Sequence, residues 1–115
     1  MPEPTADLHL HTRFSDGTEP PQRVVELARE AGLSAIAITD HDNTEAFAIA
    51  APVAKQLGIE LIPGIEMSAS IAGREVHILG FFIDFTHAAF RKHLSEQQAR
   101  RVQRDRKSTR LNSSH

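Results

Sequence analysis

The sequence predicts an α/β fold on a largely parallel sheet. Two observations carry that expectation: short apolar runs alternate with stretches of helical periodicity, and turn residues separate them. A third places the chemistry, because histidines and carboxylates fall at the ends of the apolar runs. Residues 5–11, TADLHLH, alternate as a strand does, with Asp7, His9 and His11 on one face and Leu8 and Leu10 on the other. FSDGTEPP is a turn. Pro20 and Pro21 then open a helix, since a first-turn proline forfeits no intrahelical bond. Val24, Val25, Leu27, Ala28 and Ala31 recur at helical spacing; Val24, Leu27, Ala28 and Ala31 are expected to face the sheet, and Gly32 closes the helix.

The same unit repeats. LSAIAIT is a short apolar run suited to a strand covered on both faces, DHDN is a loop, and residues 45–57 read as a helix closed by Gly58. IELIPG is a third strand. EMSASIAGREVHILGFFID reads as two further strands joined around Ala72, Gly73 and Arg74, a hairpin. Residues 88–104 read as a charged helix, whereas the final eleven residues show neither periodicity nor a cap. Those residues, DRKSTRLNSSH, equal the in-frame translation of a common short-read sequencing adapter, so Asp105 to His115 are expected to be read-through rather than native sequence.

Composition narrows the function classes. A chain of 115 residues with a formal net charge of −2 has no overall electrostatic bias toward nucleic acid or anionic membrane. Cysteine is absent, which excludes disulfides and thiolate metal sites. The N-terminal stretch lacks a cationic segment and an apolar core, and no later stretch approaches a membrane span, so a cytoplasmic location is the default expectation. Seven histidines in so short a chain are the compositional oddity. Histidine nitrogen and carboxylate oxygen are the ligands open to a cysteine-free protein, and they suit Mn, Fe or Zn. Candidate ligands sit at strand ends in order: His9 and His11 close the first, Asp16 lies in its loop, His41 closes the second, Glu66 follows the third, and His77 lies in EVHILG. All six are expected to converge on one polar cleft at the C-terminal strand ends. His87 and His93 fall on a solvated turn and helix and are left out of the set.

The runs DLHLHTRFSDG, ITDHDNT, PGIEMSA and VHILG resemble the first motifs of the PHP family, named for polymerase and histidinol phosphatase domains. Their spacing is most similar to that of the bacterial nucleoside 3′,5′-bisphosphate phosphatases, which are also 5′-to-3′ exoribonucleases. The resemblance implies a distorted (β/α)7 barrel, incomplete in this chain. Residues 1–87 would be its N-terminal part, and residues 88–104 would lead into a missing inserted domain. It implies a metal-dependent phosphoesterase with up to three divalent metals, often Mn, that activate a hydroxide against a phosphoester, with no side-chain nucleophile. Carried over position by position, His9, His11 and Glu66 would bind one metal, Glu66 would bridge to a second that His77 also binds, and Asp16 and His41 would bind the third. Asp7 is a plausible partner for the other N–H of a ligating imidazole, as are Asp40 and Asp42 around His41. Family members supply further ligands from later strands, so the chain as given is expected to be inactive although its full-length parent turns over. The substrate would be a nucleotide phosphoester or an RNA 5′ end.

Two alternatives stand beside this reading. A histidinol-phosphate phosphatase or polymerase-associated domain belongs to the same family; Asp16, ITDHDNT and GIEMS favour the bisphosphate phosphatases. A nucleic-acid-binding module would use Arg100, Arg101, Arg104, Arg106, Lys107 and Arg110, but no aromatic residue is interleaved for base stacking.

Overall fold

Seven elements follow one another in the computed structural model, which describes the backbone of residues 5–113 and the side-chain surroundings of residues 5–100. They are β1 (Ala6–Leu10), α1 (Pro21–Glu30), β2 (Ala35–Ile38), α2 (Glu45–Leu57), β3 (Glu60–Ile71), β4 (Arg74–Phe81) and α3 (Ala88–Ser113). The strands form one sheet in the order β1-β2-β3-β4. β1, β2 and β3 are parallel, and β4 returns antiparallel to β3. The α/β expectation holds, with two βα units feeding a parallel ladder that ends in a hairpin.

Each element has a local cause. α1 starts with Pro21 directly after Pro20, and α2 runs from Glu45 to Leu57 with Gly58 at its C-cap. The first-turn amide of Glu45 donates to Asn43 Oδ1 at 2.8 Å, which meets one of the helix's unpaired N–H groups. β2 is buried on both faces: Ile36 and Ile38 point into the core with the helices, while Ala37 and Thr39 are also shut off from solvent. The core joins Val24, Val25 and Ala28 of α1, Ile36 and Ile38 of β2, Ala46, Ala50 and Ala54 of α2, and Ile59.

The structure departs from the sequence reading at four places. First, α1 buries Pro21, Val24, Val25 and Ala28, an i, i+3, i+4, i+7 stripe, and this turns Leu27 and Ala31 outward; Leu27 is 39% exposed. Second, IELIPG and EMSAS are not separate strands. β3 runs unbroken from Glu60 to Ile71, because Glu60–Pro63 pair with β2 on one side and Gly64–Ile71 pair with β4 on the other. Gly64 makes the change of partner possible, since a Cβ there would come within 2.9 Å of Thr39 Cγ2. Third, the ladder between β1 and β2 shifts register between Asp7 and Leu10, so the plain alternation of TADLHLH is interrupted by a bulge. Fourth, α3 continues to Ser113 rather than stopping at 104: residues 105–113 contain no glycine or proline to end it, and Arg, Lys and Leu favour helix.

The hairpin is a two-residue turn in which Ala72 and Gly73 have φ of +52° and +78°. Positive φ at both positions is the type I′ pattern that matches strand twist, and it fixes Ile71 opposite Arg74. The chain divides into two compact units, Met1–Asp84 and Phe85–His115. In the second, Phe85 and Phe90 stack at 5.8 Å and Arg91 Nη1 donates to the Phe85 carbonyl. The side chains of Arg101, Arg104, Arg106, Lys107 and Arg110, and all of His115, lie outside the described residues. No helix among the described residues is long and apolar enough to cross a membrane.

The contrast between the covered face of β2 and the outward face of α1 is directly testable. Ile36→Ala, at a fully buried position, should cost about 2–5 kcal/mol. Leu27→Ala should stay within about 1 kcal/mol. Urea unfolding of the two variants measures both, and equal losses would contradict the packing described.

Candidate metal centre

The polar site grows from the backbone that leaves the parallel strands. β1 ends at Leu10, whose carbonyl accepts from Thr39 N at 2.7 Å, so His9 and His11 emerge beside the chain leaving β2. That chain, Thr39–Asp40–His41–Asp42, is bonded in turn to β3. Glu66 N donates to the Asp40 carbonyl at 3.2 Å, and Asp42 N donates to the Glu66 carbonyl at 2.9 Å. Asp42 Oδ1 adds a bond from Ser68 N at 3.1 Å, with Asp42 itself held at φ +50°. Glu66 lies within β3 rather than after it, since β3 outruns its parallel ladder by pairing with β4, and His77 lies within β4 as the sequence leads one to expect. Ser68 lies directly opposite His77 and Leu79 directly opposite Glu66, which sets His77 diagonally across from Glu66 on the same face.

Glu66 is the centre of the arrangement. Its carboxylate is 7% exposed, and each oxygen faces two imidazoles. Oε1 lies 2.6 Å from His9 Nε2 and 3.3 Å from His11 Nε2. Oε2 lies 2.7 Å from His77 Nδ1 and 3.4 Å from His41 Nδ1. Asp16 closes the other side, with Oδ1 3.0 Å from His11 Nδ1 and Oδ2 3.0 Å from His41 Nε2. The rings pack in series: His9 and His11 centroids are 5.1 Å apart, His11 and His41 4.7 Å, and His41 and His77 5.1 Å. All six expected residues therefore meet in one place, while His87 and His93 belong to the other unit.

Burial pushes the Glu66 carboxyl up, but the bonds to His77 and His9 and the charges of His41 and His11 outweigh it and hold Glu66 below the ordinary carboxylate range. Asp16 follows the same pattern: what burial it has raises it, and His11 and His41 bring it below its usual value.

The donors form three overlapping groups: His9, His11 and Glu66; His11, Asp16 and His41; and His41, Glu66 and His77. In each, the ligand atoms lie within 4.8 Å of one another. The residues fit divalent cations on two grounds. The donor set is nitrogen and carboxylate oxygen, which suits Mn, Fe or Zn. In addition, the buried His41 Nδ1 finds no hydrogen-bond partner among the described residues, an arrangement that costs free energy unless something else fills it.

Two expected supporting carboxylates have other tasks. Asp7 Oδ1 accepts from the backbone N of His9 at 3.1 Å, because the bulge in β1 leaves that amide outside the regular ladder. Asp40 accepts from Thr12 N and Thr12 Oγ1, both at 2.6 Å, and from Ser15 Oγ at 2.8 Å, so it braces the loop after β1 and not the ring of His41. Thr12, fully buried, and Ser15 were not picked out from the sequence. The available signal was their place in HTRFSDG, hydroxyls one and four residues after a ligand-type histidine. Glu75 is a further neighbour, 3.6 Å from His77 Nε2.

The chain is similar to known proteins over most of its length. Residues 7–109 match the family described as PHP domain. A 5′-3′ exoribonuclease of Salmonella typhimurium is 42% identical over 106 residues, covering 87% of this chain and 35% of the relative. A 3′,5′-nucleoside bisphosphate phosphatase of Chromobacterium violaceum is 38% identical over 100 residues, again with 87% and 35% covered. Among solved structures, a Bifidobacterium adolescentis protein assigned as a metal-dependent phosphoesterase superposes with a TM-score of 0.88 at 36% identity, covering 97% of this chain and 40% of that one. The chain thus spans about a third of the length of the curated relatives it matches. With the ordered motifs, the six converging side chains and the match over nearly the whole chain, it belongs to the PHP domain family.

Proposed function

We propose that these residues bind divalent cations, manganese first among them and up to three in a complete site. They would serve a phosphoesterase acting on a nucleotide phosphomonoester, such as a nucleoside 3′,5′-bisphosphate or the 5′ end of an RNA. One observation carries the reading: a buried carboxylate, Glu66, has both oxygens ringed by four imidazoles, with a second carboxylate, Asp16, facing two of them from the solvent side. The names of the similar proteins support the substrate class. Because the matched segment is about a third of those relatives, turnover is proposed for a polypeptide of their length and cation binding for the residues described.

His9, His11 and Glu66 would hold one cation, Glu66 and His77 a second, and Asp16 and His41 a third. Glu66 suits a shared position because its two oxygens already face different pairs of rings. Cations bound there supply positive charge that lowers the pKa of an attacking water and neutralises phosphoryl oxygens and the leaving group. The protein's own part is to keep both carboxylates ionised and to fix the imidazoles by short contacts. β2, β3 and the turn after β1 hold them rigidly, so that no reorganisation is needed when a phosphoester arrives.

Three outcomes are expected. Adding Mn²⁺ should raise the melting temperature of the chain, and Glu66→Gln should weaken that binding at least about 10-fold, as calorimetry would measure. A wild-type chain that binds no divalent cation would refute the metal reading. In the metal-free chain, the lowered carboxyls of Glu66 and Asp16 add stability that is fully present above the ordinary carboxylate pKa and is lost as pH falls through their lower folded values. Glu66→Gln should therefore flatten the fall in melting temperature between neutral pH and about pH 3, relative to wild type. Finally, phosphate release from adenosine 3′,5′-bisphosphate should exceed that from histidinol phosphate in a full-length protein carrying these motifs, and be absent from residues 1–104 alone. Equal turnover by the short piece would show that the six ligands suffice.

A further inference from the structure

We propose that Asp40, Thr12 and Ser15 hold the proton of His11 on Nδ1 and so commit its Nε2 to the Glu66 cation site. The cation rests on the function proposed above; the position of the proton does not.

Behind His11 runs a short, partly buried chain of donors and acceptors. Asp40 is 1% exposed, and its carboxylate has only acceptor atoms to offer. Thr12 N donates to Oδ1. Thr12 Oγ1 accepts from Phe14 N at 3.2 Å, so its single hydroxyl proton is free to go to Asp40 Oδ2 at 2.6 Å. Ser15 Oγ likewise has one proton and three neighbours: Asp40 Oδ1 at 2.8 Å, His11 Nδ1 at 3.2 Å and Asp16 Oδ1 at 3.5 Å. The short bond to the buried carboxylate takes that proton, because a charge-assisted bond at this distance outweighs longer contacts. Ser15 then faces His11 Nδ1 with a lone pair. Asp16 Oδ1, 3.0 Å from the same nitrogen, is also an acceptor. Both neighbours of Nδ1 therefore call for an N–H.

With the proton on Nδ1, Nε2 presents its lone pair to Glu66 Oε1 at 3.3 Å. Two acceptors facing each other repel until a cation stands between them. Ser15 is thus a positioning residue: it prepares the ring through Nδ1 and leaves Nε2 free to bind. The same placement removes His11 from the group it forms with Asp16 and His41, because the nitrogen it turns to Asp16 carries the proton. A cation held by Asp16 and His41 must complete its shell from other donors.

The test reads the tautomer directly. Histidine-selective ¹⁵N labelling of the metal-free chain at about pH 9, above the ordinary imidazole range, separates N–H from bare nitrogen, with His11 identified by its loss in His11→Gln. His11 should be predominantly Nδ1–H in the wild type and in Asp16→Ala, where Ser15 remains as partner. Adding Ser15→Ala to Asp16→Ala should lower the Nδ1–H to Nε2–H ratio about fivefold, the effect of one ordinary hydrogen bond, and Ser15→Thr should restore it. Circular dichroism checks that each variant is folded. A wild-type His11 bearing its proton on Nε2 overturns the proposal, as does a ratio left unchanged when Ser15→Ala is added to Asp16→Ala. Zinc calorimetry forms the separate arm: adding Ser15→Ala to Asp16→Ala should weaken binding by about a further 10-fold. A wild type that binds no zinc or manganese defeats the metal reading while the tautomer result still stands.

Discussion

Burying one carboxylate organises the rest of this protein. Glu66 has lost nearly all contact with water, and an ionised group in that position is tolerated only when its lone pairs are met. His9 and His77 meet them at 2.6 and 2.7 Å, with His11 and His41 standing 3.3 and 3.4 Å away, and the four rings come from three separate strand systems: His9 and His11 at the end of β1, His41 after β2, and His77 on β4. None of these segments can move without uncovering the charge. The site is therefore also a tie between the parallel ladder and the hairpin, and it joins the fold's most polar point to its topology.

Beneath the imidazoles lies a second set of constraints made by backbone. The segment 40–42 exchanges hydrogen bonds with Glu66, and the Asp42 side chain secures Ser68. Asp42 takes a left-handed conformation to do this, which an aspartate accepts more readily than a bulky residue would. On the other side, a Cβ on Gly17 would fall 2.5 Å from the His11 carbonyl oxygen, so the turn carrying Asp16 lies directly against the backbone of His11 and Thr12. Side chains in the site are set by main chain that has little freedom, the condition under which a cluster of donors stays preorganised.

Much of this was legible in the sequence where one residue type has one physical role. Pro20 and Pro21 marked a helix start, Gly58 a helix end, and Ala72 with Gly73 a hairpin; each sits where it was expected. The six side chains of the site were legible because imidazoles and carboxylates recur at the ends of apolar runs, and the family resemblance ordered them. What escaped depended on relations between segments. A bulge in β1 exists only relative to β2, so alternation could not reveal that Asp7 serves an amide. The unbroken course of β3 depends on β4 taking over from β2, while the Pro63–Gly64 pair looks like a break. Asp40 lies next to His41 in sequence, yet its partners are 25 and 28 residues away. Leu27 and Ala31 fit a helical period as well as Val25 does, and only the neighbouring sheet and helix decide which stripe is covered.

The type I′ turn acts as a ruler for the site. Ala72 and Gly73 leave no slack between β3 and β4, so counting back from Ile71 opposite Arg74 sets His77 opposite Ser68 and diagonal to Glu66. Side chains alternate with a period of two, and one residue of slippage would send His77 through to the reverse face of the sheet. The position of an imidazole in the site is thus encoded four residues away, in a stretch that holds no chemistry of its own. Both the length of that turn and its tolerance of positive φ therefore bear on the site, since any change there that slipped the pairing by one residue would carry His77 away from Glu66.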